Sequence, residues 1–236
     1  MLTVLDPWDD SQPFPPVENA LADPNGLLAV GGRLSVERLK NAYYAGVFPW
    51  YGEGDPVLWW SPDPRLVLWP ERLHISRSLR KVLDREVFSF SFDKAFESVI
   101  AGCAEPRRNG RGTWLTREMR AAYIEFHRSG YAHSFEAWRE GVLVGGLYGV
   151  ALGRMFYGES MFHRITNASK AAFVYAVKCL SSWGYRLVDG QVYTDHLVSF
   201  GAETIPRTEF LRLVSVYSHE VTDPEAWLRE PVMHWS

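Results

Sequence analysis

GGLYGVALGRMFYGESMFHRITNASKAA, residues 145–172, decides how the rest of the chain is read. Two runs rich in Leu, Val, Tyr and Phe, at 145–152 and 154–162, flank Gly153, the pattern of two strands meeting at a tight turn. Thr166 or Asn167 is placed to cap a helix that runs on through Lys170. At the centre, Gly158-Glu159-Ser160-Met161-Phe162 sets one carboxylate among apolar and aromatic neighbours. Burial penalises its charge unless something pairs it, so Glu159 is a candidate functional group.

Outward from this hairpin, 132–139 and 140–150 alternate as strands joined by a turn at Glu140-Gly141, so a three-stranded meander is expected. After the hairpin, a helix over 168–183 ends at Gly184. A buried strand over 186–192 follows, interrupted by Asp189 and Gln191. Two apart in an extended strand, these side chains point to one face, where they need partners. His196, Ser199 and a turn at Gly201 come next, and Pro206-Arg207-Thr208 starts a last helix to about Ser218. The final residues show no pattern.

Before the meander, Thr116 caps an amphipathic helix over 117–129 with Met119, Tyr123 and Phe126 on one stripe. A basic, glycine-bearing loop at 105–114 precedes it. Asp93 is placed to cap a helix to about Cys103, and Phe alternates with Ser over 88–92 as in an edge or half-buried strand. Ser76 opens a helix, and from Arg72 to Arg85 there are five Lys or Arg against the single acid Asp84. Such a run is either a solvated helix face or a polyanion contact.

At the N-terminal side, 6–25 is rich in Pro and acids and is expected to form an extended arm. A strand-like run at 26–32 leads to Ser35, which caps a short helix whose Leu39, Ala42 and Tyr43 share a face, and Gly46 ends it. Aromatics and prolines crowd 47–51 and 58–62, either anchored in a core or lining a ligand. Pro62, Pro64 and Pro70 place a domain boundary near residue 63, with 65–69 as the first strand beyond it. The expected fold is α+β, with a small N-terminal α+β domain at 1–62. A domain at 63–236 then carries a mixed, largely antiparallel sheet flanked by helices, in the element order of acyltransferases of the GNAT superfamily.

The 236 residues include ten Trp, eleven Tyr and thirteen Phe, ample for a packed core, and disorder is not expected. A net charge of −3 leaves no global field to attract a polyanion, so any nucleic-acid contact must be a local basic patch. Cys103 and Cys179 alone make neither a metal motif nor a disulfide framework, which fits a reducing compartment. No targeting segment or bilayer-length apolar run is read, and a cytoplasmic protein is expected. A GxSxG elbow, a Walker loop and a strand-linked GxGxxG are absent from the sequence. Arg107-x-x-Gly110-x-Gly112 matches the loop with which GNAT acetyltransferases hold acetyl-coenzyme A, but it precedes the meander instead of following its central strand. An acetyl-coenzyme A-dependent N-acetyltransferase is therefore the alternative reading.

Seven blocks taken together carry a resemblance. They are 26–32, Gly46-Val47-Phe48-Pro49-Trp50, 58–65, Gly112-Thr113-Trp114, His133-Ser134-Phe135-Glu136, Gly158-Glu159-Ser160-Met161-Phe162 and Asp189-Gly190-Gln191. In kind and order they resemble the bacterial leucyl/phenylalanyl-tRNA-protein transferase family. The resemblance implies transfer of Leu, Phe and, less well, Met from aminoacyl-tRNA to the α-amino group of proteins beginning with Arg or Lys, marking them for degradation. It implies a GNAT-like catalytic domain with no cofactor, no acetyl-coenzyme A and no metal; a monomer with no membrane partner is expected.

Carried over by position, Asp189 and Gln191 match the pair to which peptide-bond formation is attributed, and Glu159 matches an acid near the acceptor. Tyr43 and Trp50 match residues that stack on the terminal adenosine; Trp114 and Tyr123 match others lining the site. Leu147, Phe156 and Met161, with Ser160 beside them, would line the cup for the aminoacyl side chain. Arg77, Arg80, Lys81 and Arg85 gain weight as tRNA contacts. The family usually has Cys where this chain has Gly190, a change expected to alter packing more than chemistry. An aminoacyl ester is already activated, so aminolysis mainly needs positioning, worth on the order of 7 to 11 kcal/mol. Two versions stay open. In one, Gln191 orients the amine through its amide oxygen, Asp189 orients or polarises that arrangement, and Glu159 attracts the cation. In the other, the tRNA ribose hydroxyl moves the proton and these residues only position.

Overall fold

The computed structural model describes residues 2–106, 115–223, 225–229, 231, 233 and 235. Strands β1 (Thr3–Leu5), β2 (Leu27–Gly31), β3 (Phe48–Pro49) and β4 (Leu58–Trp60) form a small sheet in the order β1-β2-β4-β3, with β1 parallel to β2. Helix α1 (Val36–Tyr44) lies between β2 and β3; the Ser35 hydroxyl accepts from the Arg38 amide at 3.1 Å, the cap its sequence announces. Gly46, at φ +70°, turns the chain out of the helix. Arg38 is buried and donates to the carbonyls of Asp9 and Gln12, which pins the proline-rich arm to α1.

The second sheet contains β5 (Arg65–Leu68), β6 (Ser89–Phe92), β7 (Ala132–Arg139), β8 (Val142–Leu152), β9 (Met155–His163), β10 (Leu187–Gln191) and β11 (Glu203–Ile205). Their order is β11-β5-β10-β9-β8-β7-β6, antiparallel throughout except for β9 beside β10. The mixed, largely antiparallel sheet is thus the expected one, with β6 on its edge. The meander β7-β8-β9, a helix and a strand parallel to β9 reproduce the acyltransferase-like order read from the sequence.

Helices α2 (Arg77–Asp84), α3 (Phe96–Ala104), α4 (Arg117–Arg128), α5 (Ala168–Ser182), α6 (Asp195–Val198) and α7 (Arg207–Tyr217) complete the chain. Alternation along the strands divides the core. Leu66, Leu68, Leu147 and Phe156 face α2 and α5, whereas Val67, Tyr148, Val150 and Tyr157 face α3, α4 and the N-terminal sheet and helix. The first sheet therefore shares one continuous apolar cluster with the second. No described helix is long and apolar enough to cross a membrane.

Two local expectations need correction. Asp93 does not cap α3, which starts after Ala95; it sits at φ +52° and its carboxylate accepts from the Ser134 amide at 2.8 Å and pairs with His133 at 2.7 Å. Asn167 is the residue before α5, yet at φ +68° its side chain makes no capping bond. The featureless tail also has a place: Trp227 stacks on His133 at 3.6 Å between ring centres and donates to the Tyr185 hydroxyl.

Candidate active site

Strands β9 and β10 pair at only three positions, from Leu187 opposite Met155 to Asp189 opposite Tyr157. Beyond them a bulge shifts β10 against β5, and Gln191 takes a left-handed backbone at φ +62°. The strands part, and a cavity of about 430 Å³ opens there. Across the gap a side chain replaces the backbone ladder, with Gln191 Nε2 donating to Glu159 Oε1 at 2.8 Å. That bond uses the amide nitrogen of Gln191, and Gln191 itself lines the cavity.

The bend at Gln191 has a visible support. Asp189 is fully buried, and its Oδ1 accepts from the Gln191 amide at 2.8 Å. Arg65 on β5, equally buried, donates to the same carboxylate from Nε at 2.8 Å and Nη2 at 2.6 Å. The guanidinium lies between the rings of Phe48 and Phe210, 4.8 and 4.4 Å from their centres. A flat extended strand would have presented Asp189 and Gln191 side by side as equals. Instead both oxygens of Asp189 are engaged by protein donors, so Asp189 shapes the backbone that presents Gln191.

Glu159 sits half-buried where the strands part. Its Oε1 also lies within hydrogen-bond distance of the Tyr43 hydroxyl, at 2.8 Å, and its Oε2 of the Tyr123 hydroxyl, at 2.9 Å. Burial pushes its carboxyl up to about 7, with the two phenols opposing that shift, Asp189 adding to it and Arg65 opposing it. The same burial, with Glu159 nearby, raises both phenols well above their ordinary value. Tyr43 is fully buried against Phe126 and Tyr157, so its ring offers no face to a base and the expected stacking does not fit its position. Tyr123 is likewise enclosed, and both reach the site only through their hydroxyls.

The cavity wall contains Leu147, Phe156, Ser160 and Met161, joined by Leu68, Phe173, Val188, Leu197 and Ala202, which sequence reasoning did not single out. Trp50 stands at the wall with 43% of its surface exposed, its ring against Trp60 at 5.8 Å. His196 also lines the cavity, and burial lowers its pKa. Gly190 belongs to the wall as well: a Cβ there would meet Leu197 Cδ1 at 2.8 Å and Leu66 Cδ2 at 3.2 Å, on the side away from Asp189. Trp114 and the 107–112 loop lie outside the described residues. Arg77, Arg80, Lys81 and Arg85 are all exposed on and just after α2. No group of three or more His, Cys, Asp or Glu among the described residues could hold a metal ion.

The model of the leucyl/phenylalanyl-tRNA protein transferase family matches residues 67–215, and that of the family's N-terminal domain matches residues 32–63. A leucyl/phenylalanyl-tRNA--protein transferase of Methylococcus capsulatus is 67% identical over 231 residues, 98% of each chain. That of Azotobacter vinelandii is 60% identical over 89% of this chain and 92% of its own. Among solved structures, L-PGS from Bacillus licheniformis superposes with a TM-score of 0.42 at 14% identity, covering 58% of this chain and 48% of that one. With both sequence segments and nearly the full length matched, the chain belongs to the leucyl/phenylalanyl-tRNA-protein transferase family of aminoacyltransferases.

Proposed function

We propose that this protein transfers Leu or Phe, and less well Met, from aminoacyl-tRNA to the α-amino group of proteins that begin with Arg or Lys, in the cytoplasm and as a monomer, marking them for degradation. The observation that carries this reading is the joining of an apolar cavity to a polar bridge, Gln191 to Glu159, where β9 and β10 part. The apolar wall of Leu147, Phe156, Met161, Phe173 and Val188 suits a large unbranched or γ-branched side chain. Each methylene there is worth only about 1 to 3 kcal/mol, which is why leakage to Met is expected. Trp50 is the exposed aromatic face for the terminal adenosine, and Arg77, Arg80, Lys81 and Arg85 take tRNA phosphates.

In the transfer step Gln191 accepts from the attacking amine through its amide oxygen, and Glu159 supplies charge complementarity to the cationic acceptor. Asp189 is a positioning residue acting through Gln191. The reaction is aminolysis of an ester and calls for no covalent enzyme intermediate. A transfer assay with radiolabelled leucyl-tRNA and a reporter beginning with Arg tests the reading. Label is expected on the reporter without acetyl-coenzyme A; label only when acetyl-coenzyme A supplies it would support an N-acetyltransferase, and binding without transfer would overturn the assignment.

A further inference from the structure

The contacts around Glu159 contain one more hydrogen bond than the phenols have protons. The Tyr43 and Tyr123 oxygens lie 2.6 Å apart, Tyr43 is 2.8 Å from Oε1 and Tyr123 is 2.9 Å from Oε2, so the three groups close a ring. Three hydrogen bonds require three protons, and two phenols supply two. Gln191 cannot supply the third, because its Nε2 proton goes to Oε1 from outside the ring. Neither phenol is disposed to ionise, since burial raises both. With an ionised Glu159, one of the three short contacts would be oxygen against oxygen with nothing between.

We propose that Glu159 rests as a neutral carboxylic acid whose proton closes this ring with Tyr43 and Tyr123, and that the ring accepts the proton which the attacking amine must lose. The ring itself follows from the geometry; the identity of the amine rests on the function proposed above. The surroundings agree with a neutral resting state. Asp189 and Arg65, on β10 and β5, neutralise each other, while Tyr148 on β8 and Tyr157 on β9 present phenols, that of Tyr157 being spent on the Tyr43 carbonyl at 3.1 Å. Burial of Glu159 independently raises its pKa to about 7.

The proton balance closes over one turnover. A cationic acceptor entering beside Glu159 displaces the ring proton to solvent, so that one positive charge replaces another. The carboxylate then takes a proton from the ammonium, which restores the ring and leaves a neutral amine. Its nitrogen bonds to the ester carbonyl carbon, the bond from that carbon to the ribose oxygen breaks, and the second N–H proton passes to the leaving ribose oxygen. One proton per peptide bond reaches solvent, as aminolysis by an ammonium requires. Tyr43 is a positioning residue contributed by α1, so the N-terminal region is part of the proton-handling site and not merely a tRNA contact.

The test is an infrared titration of the free protein, taken as the difference between wild type and Glu159→Gln. A protonated-carboxyl band is expected at pH 6, converting to carboxylate near pH 7. Tyr123→Phe removes two of the three ring hydrogen bonds from the neutral acid but only one from the anion, and it also removes the anion's bare oxygen–oxygen contact, so the midpoint is expected to move down by about one pH unit; Tyr43→Phe serves if that variant does not fold. A carboxylate band alone from pH 5.5 to 8, or a midpoint unmoved or raised in both phenylalanine variants, overturns the ring. Calorimetry in two buffers at pH 6 then reads protons released per Arg-starting peptide bound. A value near one supports the base role, and a value near zero overturns it. Absence of peptide binding overturns the acceptor assignment and the base role with it, while the infrared titration still decides the ring.

Discussion

Arg65 grips Asp189 through two hydrogen bonds of 2.8 and 2.6 Å in a setting with no solvent on either side, and Asp189 in turn holds the amide of Gln191. Removing one member leaves the other charge buried and unpaired. Arg65→Met or Asp189→Asn is therefore expected to lower unfolding free energy by about 3 to 5 kcal/mol. Replacing both at once, as in Arg65→Met with Asp189→Leu, is expected to recover most of that stability but not turnover, because Gln191 loses its backbone support. Denaturant titration of the three variants beside a transfer assay checks this. Double-variant turnover close to wild type would remove Asp189 and Arg65 from the presentation of Gln191.

Glu159 makes stability depend on pH in a definite direction. Its carboxyl is raised from an ordinary 4.5 to about 7, so the folded protein holds a proton that the unfolded chain has already released over that interval. The contribution is full below about 4.5 and is lost as pH rises through about 7, on the order of 3 kcal/mol. Buried Glu136 is raised as well and adds a slope of the same sign. Glu159→Gln is expected to flatten only part of the decline in chemical stability between pH 5 and 8. A slope identical to wild type would mean that Glu159 ionises in the folded protein as easily as in the unfolded chain.

The exposed basic residues of α2 should govern salt dependence more than turnover. Log affinity for tRNA is expected to fall against log salt by roughly 0.7 to 0.9 for each phosphate neutralised. Charge reversal at Arg77, Arg80, Lys81 and Arg85 together is expected to flatten that slope and weaken binding. Because all four are exposed, the fold should tolerate the changes. Filter binding over a salt series gives the answer, and an unchanged slope would make this helix face an ordinary solvated surface.

Much of this was legible because strands advertise themselves by alternation. The meander, the helix over 168–182 and the strand bearing Asp189 follow from apolar periodicity, and Glu159 stood out as a lone acid within it. The partners of these acids were not legible. Arg65 follows a run of prolines and reads only as the start of a strand; that it lies under Asp189 depends on β5 pairing with β10, 124 residues away in sequence. Tyr43 and Tyr123 come from helices 80 residues apart, and nothing local says that their hydroxyls meet. The bend at Gln191 is hidden for a different reason: a positive φ is expected of a glycine, and the neighbouring Gly190 does not carry it. The wall residues Phe173, His196 and Leu197 belong to α5 and α6, whose pattern shows burial or capping but not which cavity they close.

Gly190 offers a way to alter the cavity without touching the polar bridge. A Cβ at this position would approach Leu197 Cδ1 to 2.8 Å and Leu66 Cδ2 to 3.2 Å, both far ends of flexible side chains, so a small residue can be admitted by moving them. The methyl of Gly190→Ala faces away from Asp189 and leaves the contacts of Asp189 with Arg65 and Gln191 in place. Leu197 lines the cavity, and its displacement narrows the space for the aminoacyl side chain. Discrimination is therefore expected to shift toward leucine over phenylalanine by about 1 kcal/mol in relative kcat/KM, with stability changed by less than about 1.5 kcal/mol. Competition between leucyl- and phenylalanyl-tRNA for one reporter measures this. An unchanged ratio would show that Leu197 yields away from the cavity, and a loss of all transfer would show that residue 190 supports the bend at Gln191 directly.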